Sequence, residues 1–193
     1  MSQQKPTIGV LALQGAVELH KPHIEAAGGI YKPVKTAAEI DGVDAFILPG
    51  GESTTMLKLI DNFDLWDVLA KNFAVKPVWG ICAGSILMAN KVYVDESRQQ
   101  IQKSFGLMPV TIIRNGYGRQ LDSHHAEIAG YGVSFIRAPV ITDIAEGVET
   151  LAVHQDTPVW LKYGPHRLSA FHAELNRDAP SPMHEEFIQS LSS

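Results

Sequence analysis

Pro77-Val-Trp-Gly-Ile-Cys-Ala-Gly84 is a short apolar run that ends at a cysteine set between glycines, and the helical pattern Ser85 to Asn90 follows at once. Pro77 to Ile81 reads as a buried strand. Gly80-Ile-Cys-Ala-Gly84 then has the form G-x-C-x-G at a strand-to-helix junction, the thiol version of a nucleophile elbow. A turn that sharp strains its central residue and brings neighbouring backbone close, so larger side chains at the flanking positions would clash. It lifts the sulfur of Cys82 clear of the sheet. The helix that follows offers free N–H groups and a partial positive charge, which favour a thiolate, and the N–H of Ala83 is placed to donate to an oxyanion. The competing reading is that Cys82 is a small buried hydrophobe, the usual state of a free cysteine.

Working outward from the elbow, Thr7 to Leu13 and Asp44 to Leu48 are two more apolar runs, ended by Gln14-Gly15 and by Pro49-Gly50-Gly51. Ala16 to Ala27, Glu52 to Ile60 and Leu65 to Phe73 carry helical spacing between them. Strand and helix alternating in this way predict an open α/β fold with a mostly parallel sheet and crossover helices. The second half changes character. Leu107 to Arg114, Glu127 to Ile136, Thr150 to His154, Pro158 to Tyr163 and Arg167 to Phe171 are short β-rich runs, expected as hairpins or a mixed sheet on one side of the parallel core. Ser181 to Leu191 closes the chain as a helix, with Ser181 as N-cap and Pro182 in the first turn. Open α/β sheets place their ligands at the carboxyl ends of their strands, which directs attention to the loops after Leu13, Leu48 and Ile81.

The 193 residues amount to a single domain spanning 1–193, and an apolar content of 45% suffices for a buried core. Sixteen basic against 21 acidic residues leave a net charge of −5, so no basic footprint invites nucleic acid or an anionic membrane. Cys82 is the only cysteine, which rules out an internal disulfide and fits a reducing compartment. Met1 to Lys5 lack the apolar core of a signal peptide, and no apolar run approaches the roughly 18 residues of a membrane span. The expectation is a cytoplasmic protein.

A cysteine nucleophile needs a general base, and the base needs an orienting group. Phe171-His-Ala-Glu-Leu175 supplies both: His172 and Glu174 stand two apart at the end of a β-like run, which puts both side chains on one face. Seen alone, the pair reads equally as surface residues at a strand end. Pro49-Gly-Gly-Glu-Ser-Thr-Thr55 offers Gly51 as a second oxyanion donor opposite Ala83, although by itself it is a tight turn with a helix cap at Ser53 or Thr54. Arg114 and Arg137 each end a strand-like run. An amino-acid substrate presents a carboxylate that arginine grips through paired hydrogen bonds, and an ammonium group that Glu52 can meet; without that context either arginine is a surface ion pair. His20 and His23 share a helix face without an evident carboxylate or cysteine partner and are expected in solvent. The adjacent His124 and His125 point to opposite sides of a strand. His154, His166 and His184 read as surface or core fillers. No cofactor-binding motif and no metal set is visible. A redox or chaperone-like protein with a reactive elbow cysteine is the alternative from the residues alone, and that class has no use for His172 and Glu174.

These residues resemble the class I glutamine amidotransferases with a Cys-His-Glu triad, and more narrowly the glutaminase subunits of pyridoxal 5′-phosphate synthase. Gly9-Val-Leu-Ala-Leu-Gln-Gly-Ala16, Leu48-Pro-Gly-Gly-Glu-Ser-Thr-Thr-Met56, Gly80-Ile-Cys-Ala-Gly84, Arg114-Asn-Gly-Tyr-Gly-Arg-Gln120 and Phe135-Ile-Arg-Ala-Pro139 occur in the family's order. The resemblance implies a three-layer, flavodoxin-like fold with helices on both faces of the sheet. It implies Cys82 as nucleophile, His172 and Glu174 as the rest of the triad, and glutamine contacts from Gly51, Glu52, Ser53, Arg114, Ile136 and Arg137, with Gln14-Gly15 near the partner-facing mouth. It also implies hydrolysis of L-glutamine to glutamate and ammonia, the ammonia passing to a (β/α)8-barrel synthase subunit in a heteromeric complex that makes pyridoxal 5′-phosphate; the alternative is the glutaminase subunit of another amidotransferase. The family commonly has proline where this chain has Ala173.

Overall fold

The computed structural model describes residues 5–115 and 123–192; most of the Arg114–Gln120 motif lies outside them. The chain runs β1 (Thr7–Leu11), a 3-10 turn at Glu18–His20, α1 (Lys21–Ala26), β2 (Ile30–Val34), α2 (Ala37–Asp41), β3 (Ala45–Leu48), α3 (Ser53–Asn62), α4 (Trp66–Phe73), β4 (Val78–Ile81) and α5 (Ala83–Met88). The second half is β5 (Ala89–Asp95), β6 (Met108–Asn115), β7 (His124–Ile128), β8 (Tyr131–Phe135), β9 (Val140–Thr142), β10 (Glu149–His154), β11 (Thr157–Tyr163), β12 (His166–Ser169) and α6 (Pro182–Gln189).

Seven strands form the main sheet in the order β10-β11-β12-β4-β3-β1-β2. The five from β12 to β2 are parallel, and β11 and β10 extend one edge antiparallel. The fold is therefore the mostly parallel α/β sheet expected. Strands β3 and β4 are buried at every position, which is why their sequences are unbroken apolar runs rather than alternating ones. One difference matters for function. Arg167 to Phe171 is not part of an appended β region: it returns to the sheet as β12, parallel and adjacent to β4. The bidentate pair from Arg167 to Glu186 pins this strand to α6, with the arginine side chain only 2% exposed. The small sheet β5-β6-β9 and the hairpin β7-β8 stand apart from the main sheet.

Other departures have local causes. Ala16 to Ala27 is not one helix; Pro22 sits in the first turn of α1 and a 3-10 turn precedes it. Ile30-Tyr-Lys-Pro-Val34 forms an edge strand, half polar and containing a proline, so its pattern carried no strand signal. The helix expected over Ser85 to Asn90 starts at Ala83 and gives way to β5 at Ala89. Ser181 caps α6 as expected, its side chain accepting from the His184 N–H.

Register sets the site. Gly80 of β4 lies opposite Leu48 of β3 and Leu168 of β12. Three parallel strands thus end at nearly one level, and the segments leaving them at Pro49, Cys82 and Ala170 emerge side by side at the carboxyl edge of the sheet.

Candidate active site

Cys82 is the residue between β4 and α5, with φ +50° and ψ −104°, a strained conformation for a residue with a side chain. The surroundings over-determine it. Its N–H donates to Ser169 O at 2.8 Å, and the Ser85 hydroxyl donates to Gly80 O at 2.8 Å and Ser169 O at 2.6 Å. The flanking glycines are steric requirements: a Cβ on Gly84 would lie 2.0 Å from Leu48 O, and one on Gly80 would lie 2.6 Å from Gly84 O. Cys82 is 7% exposed and lines a cavity of about 300 Å³. Its thiol makes a long hydrogen bond, 3.8 Å, to Ile136 O.

His172 follows β12 by three residues, and its backbone exchanges two hydrogen bonds with Ser134 of β8 (3.1 and 2.8 Å). The hairpin β7-β8 thereby carries the base at its edge and leads directly into Ile136 and Arg137. His172 Nδ1 and Glu174 Oε1 are 2.6 Å apart, with Glu174 wholly buried. Burial opposes a charge on His172, but hydrogen bonds to Cys82 and to Glu174 outweigh it and the pKa is pushed up to about 10. Burial likewise opposes the Glu174 charge; the hydrogen bond from His172 and coupling to His20 and His172 hold the carboxyl below its ordinary range. With Nδ1 engaged by Glu174, Nε2 is the ring nitrogen left for the sulfur. Ala173, in place of the family's proline, is buried, and its carbonyl accepts from the Tyr131 hydroxyl at 3.3 Å, a contact that holds the segment without the ring.

Gly51, Glu52, Ser53, Ala83, Arg114, Ile136 and Arg137 all line the Cys82 cavity together with His172. Every candidate residue except Glu174, which stands behind His172, therefore meets in one place. Arg137, with φ +43°, donates to Glu52 Oε1 at 2.6 Å across the mouth; Arg114 donates to Thr54 Oγ1 at 3.3 Å. Ala83 opens α5, so its N–H has no partner within the helix. Ile86 and Asn115 also line the cavity; neither was singled out as a contact residue, although Asn115 lies within the Arg114–Gln120 motif. Gln14 is there as well: its Oε1 accepts from the Glu52 N–H at 2.9 Å, and the Ala16 N–H donates to Gly50 O at 3.1 Å, so the segment after β1 ties down the Gly50-Gly51 loop.

The expectation for two histidines is corrected. His20 and His23 are not in solvent but 0% and 3% exposed; His184, read as a surface or core filler, lies in the core at 0% exposed. His23 Nε2 donates to the Glu174 carbonyl at 3.3 Å, so the first helical segment buttresses a residue 151 positions away. His124 and His125 diverge on β7 as expected, His124 stacking on Phe135 and His125 meeting Ser134 Oγ. Among the described residues no group of three or more His, Cys, Asp or Glu side chains is arranged to hold a metal ion, and no helix is long and apolar enough to cross a membrane.

The chain is 44% identical over 179 residues to pyridoxal 5′-phosphate synthase subunit PdxT of Bacillus cytotoxicus, covering 89% of this chain and 88% of that one. It is 43% identical over 180 residues to the PdxT subunit of Bacillus anthracis, with the same coverage. Among solved structures, a glutamine amidotransferase superposes with a TM-score of 0.83 at 34% identity, over 96% of this chain and 99% of that chain. A protein described as a putative GMP synthase subunit from Thermoplasma acidophilum shares the fold, with a TM-score of 0.67 at 14% identity over 98% and 96% of the two chains. Residues 10–193 match the SNO glutamine amidotransferase family. With that match spanning the elbow, the Gly50-Gly51 loop and the His172–Glu174 pair, the chain belongs to the SNO glutamine amidotransferase family.

Proposed function

We propose that Cys82, His172 and Glu174 are the catalytic machinery with which this chain, as the glutaminase subunit of a pyridoxal 5′-phosphate synthase, hydrolyses L-glutamine to glutamate and ammonia. The carrying observation is the line of contacts from Cys82 through His172 to a wholly buried Glu174, with Nδ1 and Oε1 2.6 Å apart, at the wall of a cavity. The Cys82 sulfur attacks the carboxamide carbon of the substrate. N–H groups of Ala83 and Gly51 stabilise the oxyanion, each worth about 3 kcal/mol of barrier when preorganised. His172 gives its proton to the leaving ammonia, a γ-glutamyl thioester remains, and His172 then takes a proton from the water that releases glutamate. Glu174 holds the ring in the tautomer that this exchange needs. Glu52 receives the substrate ammonium, Arg114 and Arg137 its carboxylate, and Ser53 and Ile136 complete the subsite.

One amidotransferase domain over 1–193 passes its ammonia to a (β/α)8-barrel synthase subunit in a heteromeric complex. The tether from Gln14 and Ala16 to the Gly50-Gly51 loop supports partner control, because a synthase seated on the β1 exit would act directly on an oxyanion donor. Turnover should rise when the synthase is added; a rate indifferent to it removes this regulatory reading.

Cys82→Ala should lower glutamate release by about 10⁴-fold or more with the melting transition retained, and a glutamine-analogue electrophile should label wild-type Cys82 alone. Wild-type turnover in Cys82→Ala refutes the nucleophile assignment. Labelling without glutamate release in any synthase complex would instead favour an elbow cysteine with another use.

A further inference from the structure

Behind Glu174, three histidines from opposite ends of the chain pack together, and the mechanism above uses none of them. His20 ends the 3-10 turn, His23 lies on α1, and His184 lies on α6. The His184 ring stacks on His23 at 4.9 Å, lies 5.2 Å from His20, and meets the Trp79 edge at 4.8 Å. Burial pushes His20 down to about 4 and His184 well below its ordinary value, so at neutral pH both are uncharged. An uncharged imidazole has one donor and one acceptor, so the partners of each ring fix where its proton sits.

The His23 Nδ1 accepts from the Ser181 N–H at 3.1 Å, so Nε2 carries the proton and donates to the Glu174 carbonyl. His20 and His184 share one bond, Nδ1 to Nε2, at 2.9 Å, and either ring could be the donor. The field at the far nitrogen of His20 decides. Were His20 to donate through Nδ1, its Nε2 would be left as a lone pair on a ring that interacts electrostatically with the Glu174 charge. Were His184 to donate, the His20 proton would sit on Nε2. His20 Nε2 and Glu174 Oε2 are both buried and neither has another hydrogen-bond partner, and a buried carboxylate oxygen without a donor is strongly unfavourable. The second arrangement leaves only His184 Nδ1 unpaired, as a lone pair rather than as an N–H, the better tolerated of the two.

We propose that His20 is a positioning residue for the triad: with His184 fixing its proton on Nε2, His20 supplies the N–H that meets Glu174 Oε2 while His172 holds Oε1. The groups acting on Glu174 are His172, His20, its own backbone N–H, the His23 ring at its carbonyl, and the Tyr131 hydroxyl one residue away; those acting on His20 are Glu174, His23, His172 and His184. None is a lysine or arginine, so imidazole groups, with one backbone N–H, keep this carboxylate ionised. His23 fixes its backbone and His20 its free oxygen, both from one short segment near the N-terminus.

The inference rests on the triad reading, and the experiment separates the two. His20→Leu and His20→Gln are compared with wild type and Cys82→Ala in glutamate release by the synthase complex across pH 5 to 9. His20→Leu should lower kcat by about tenfold or more, leave KM within about twofold, and move the acid limb of the kcat profile to higher pH, because loss of the donor raises the Glu174 pKa. His20→Gln, which keeps a side-chain N–H, should recover most of kcat. Full kcat in His20→Leu, or equal loss in both variants, overturns the positioning role while an inactive Cys82→Ala leaves the triad standing; an active Cys82→Ala removes the triad itself. If His20→Leu does not fold, the ¹⁵N shifts of wild-type histidines decide: protonation of His20 at Nε2 supports the proposal, and protonation at Nδ1 overturns it.

Discussion

Gly50→Ala tests the geometry of the site without replacing any reacting group. A Cβ at residue 50 would stand 2.1 Å from His172 Cε1, 2.8 Å from Nδ1 and 3.2 Å from Nε2. Ordinary carbon contacts begin near 3.5 Å, so ring and loop must separate by roughly 1.5 Å. Neither yields easily. The ring is held by the 2.6 Å contact to a fully buried Glu174 and by the backbone pair with Ser134; the loop is held through Gly50 O and the Glu52 N–H. A displacement of about 1 Å in a catalytic constellation lowers the rate about 100-fold, so Gly50→Ala should lose at least about 100-fold in kcat whichever side moves. The assay is steady-state glutamate release by the synthase complex, with circular dichroism melting to establish that the variant folds. Gly84→Ala is the contrast: its Cβ would strike Leu48 O, backbone of a central strand, at 2.0 Å, and it should lose stability as well as activity. A folded Gly50→Ala enzyme with wild-type kcat would refute the close approach of loop and base on which the mechanism depends.

Stability should fall toward both acid and alkali. His20 has its pKa lowered from 6.5 to about 4, so between those values the unfolded chain binds the extra proton; this contribution, up to about 3 kcal/mol, is complete above pH 6.5 and is lost as pH falls through 6.5 toward 4. His172 is raised to about 10 and has the opposite sign: its contribution is complete below pH 6.5 and is lost as pH rises through 10. Urea unfolding at pH 4.5, 7 and 10 reads both limbs, and a curve flat from 4.5 to 7 contradicts the buried neutral histidines. Glu52→Gln should raise the KM for glutamine about tenfold by losing the ammonium contact, yet change unfolding free energy by under about 1 kcal/mol, since Glu52 and Arg137 are both largely exposed; an unchanged KM removes Glu52 from the subsite.

The parallel core was legible because its strands are buried on both faces, and a run such as Ala45-Phe-Ile-Leu48 has no polar position to obscure it. The elbow was legible for a steric reason: Gly80 and Gly84 each face backbone at a distance that excludes a Cβ. Illegibility also has physical causes. Ile30 to Val34 is an edge strand with one buried position in five, and its parallel pairing to β1 is a property of tertiary packing alone. The return of Arg167 to Ser169 to the central sheet depends on a partner strand nearly 90 residues earlier and on an arginine paired with a helix that follows. Neither dependence leaves a local pattern.

The site divides along the same line. His172 and Glu174 were found because two residues apart at a strand end is a short-range relation, although neither lies within the regular strand. The histidines behind them were missed because a polar side chain on a helix face is ordinarily solvated, and because their partners are 151 to 164 residues away. Once Glu174 is given the orienting role, it must be shielded from water to act strongly on His172, and a shielded carboxylate has two oxygens to satisfy. His172 can occupy only one. Some donor from another part of the chain therefore has to face the second oxygen, and a neutral histidine is well suited to the place. Unlike a lysine or arginine, it supplies an N–H without a charge that would compete with His172 for the carboxylate. Two buried histidines three residues apart, with a third to set the proton of one of them, answer that requirement in a segment whose composition, taken locally, reads as surface.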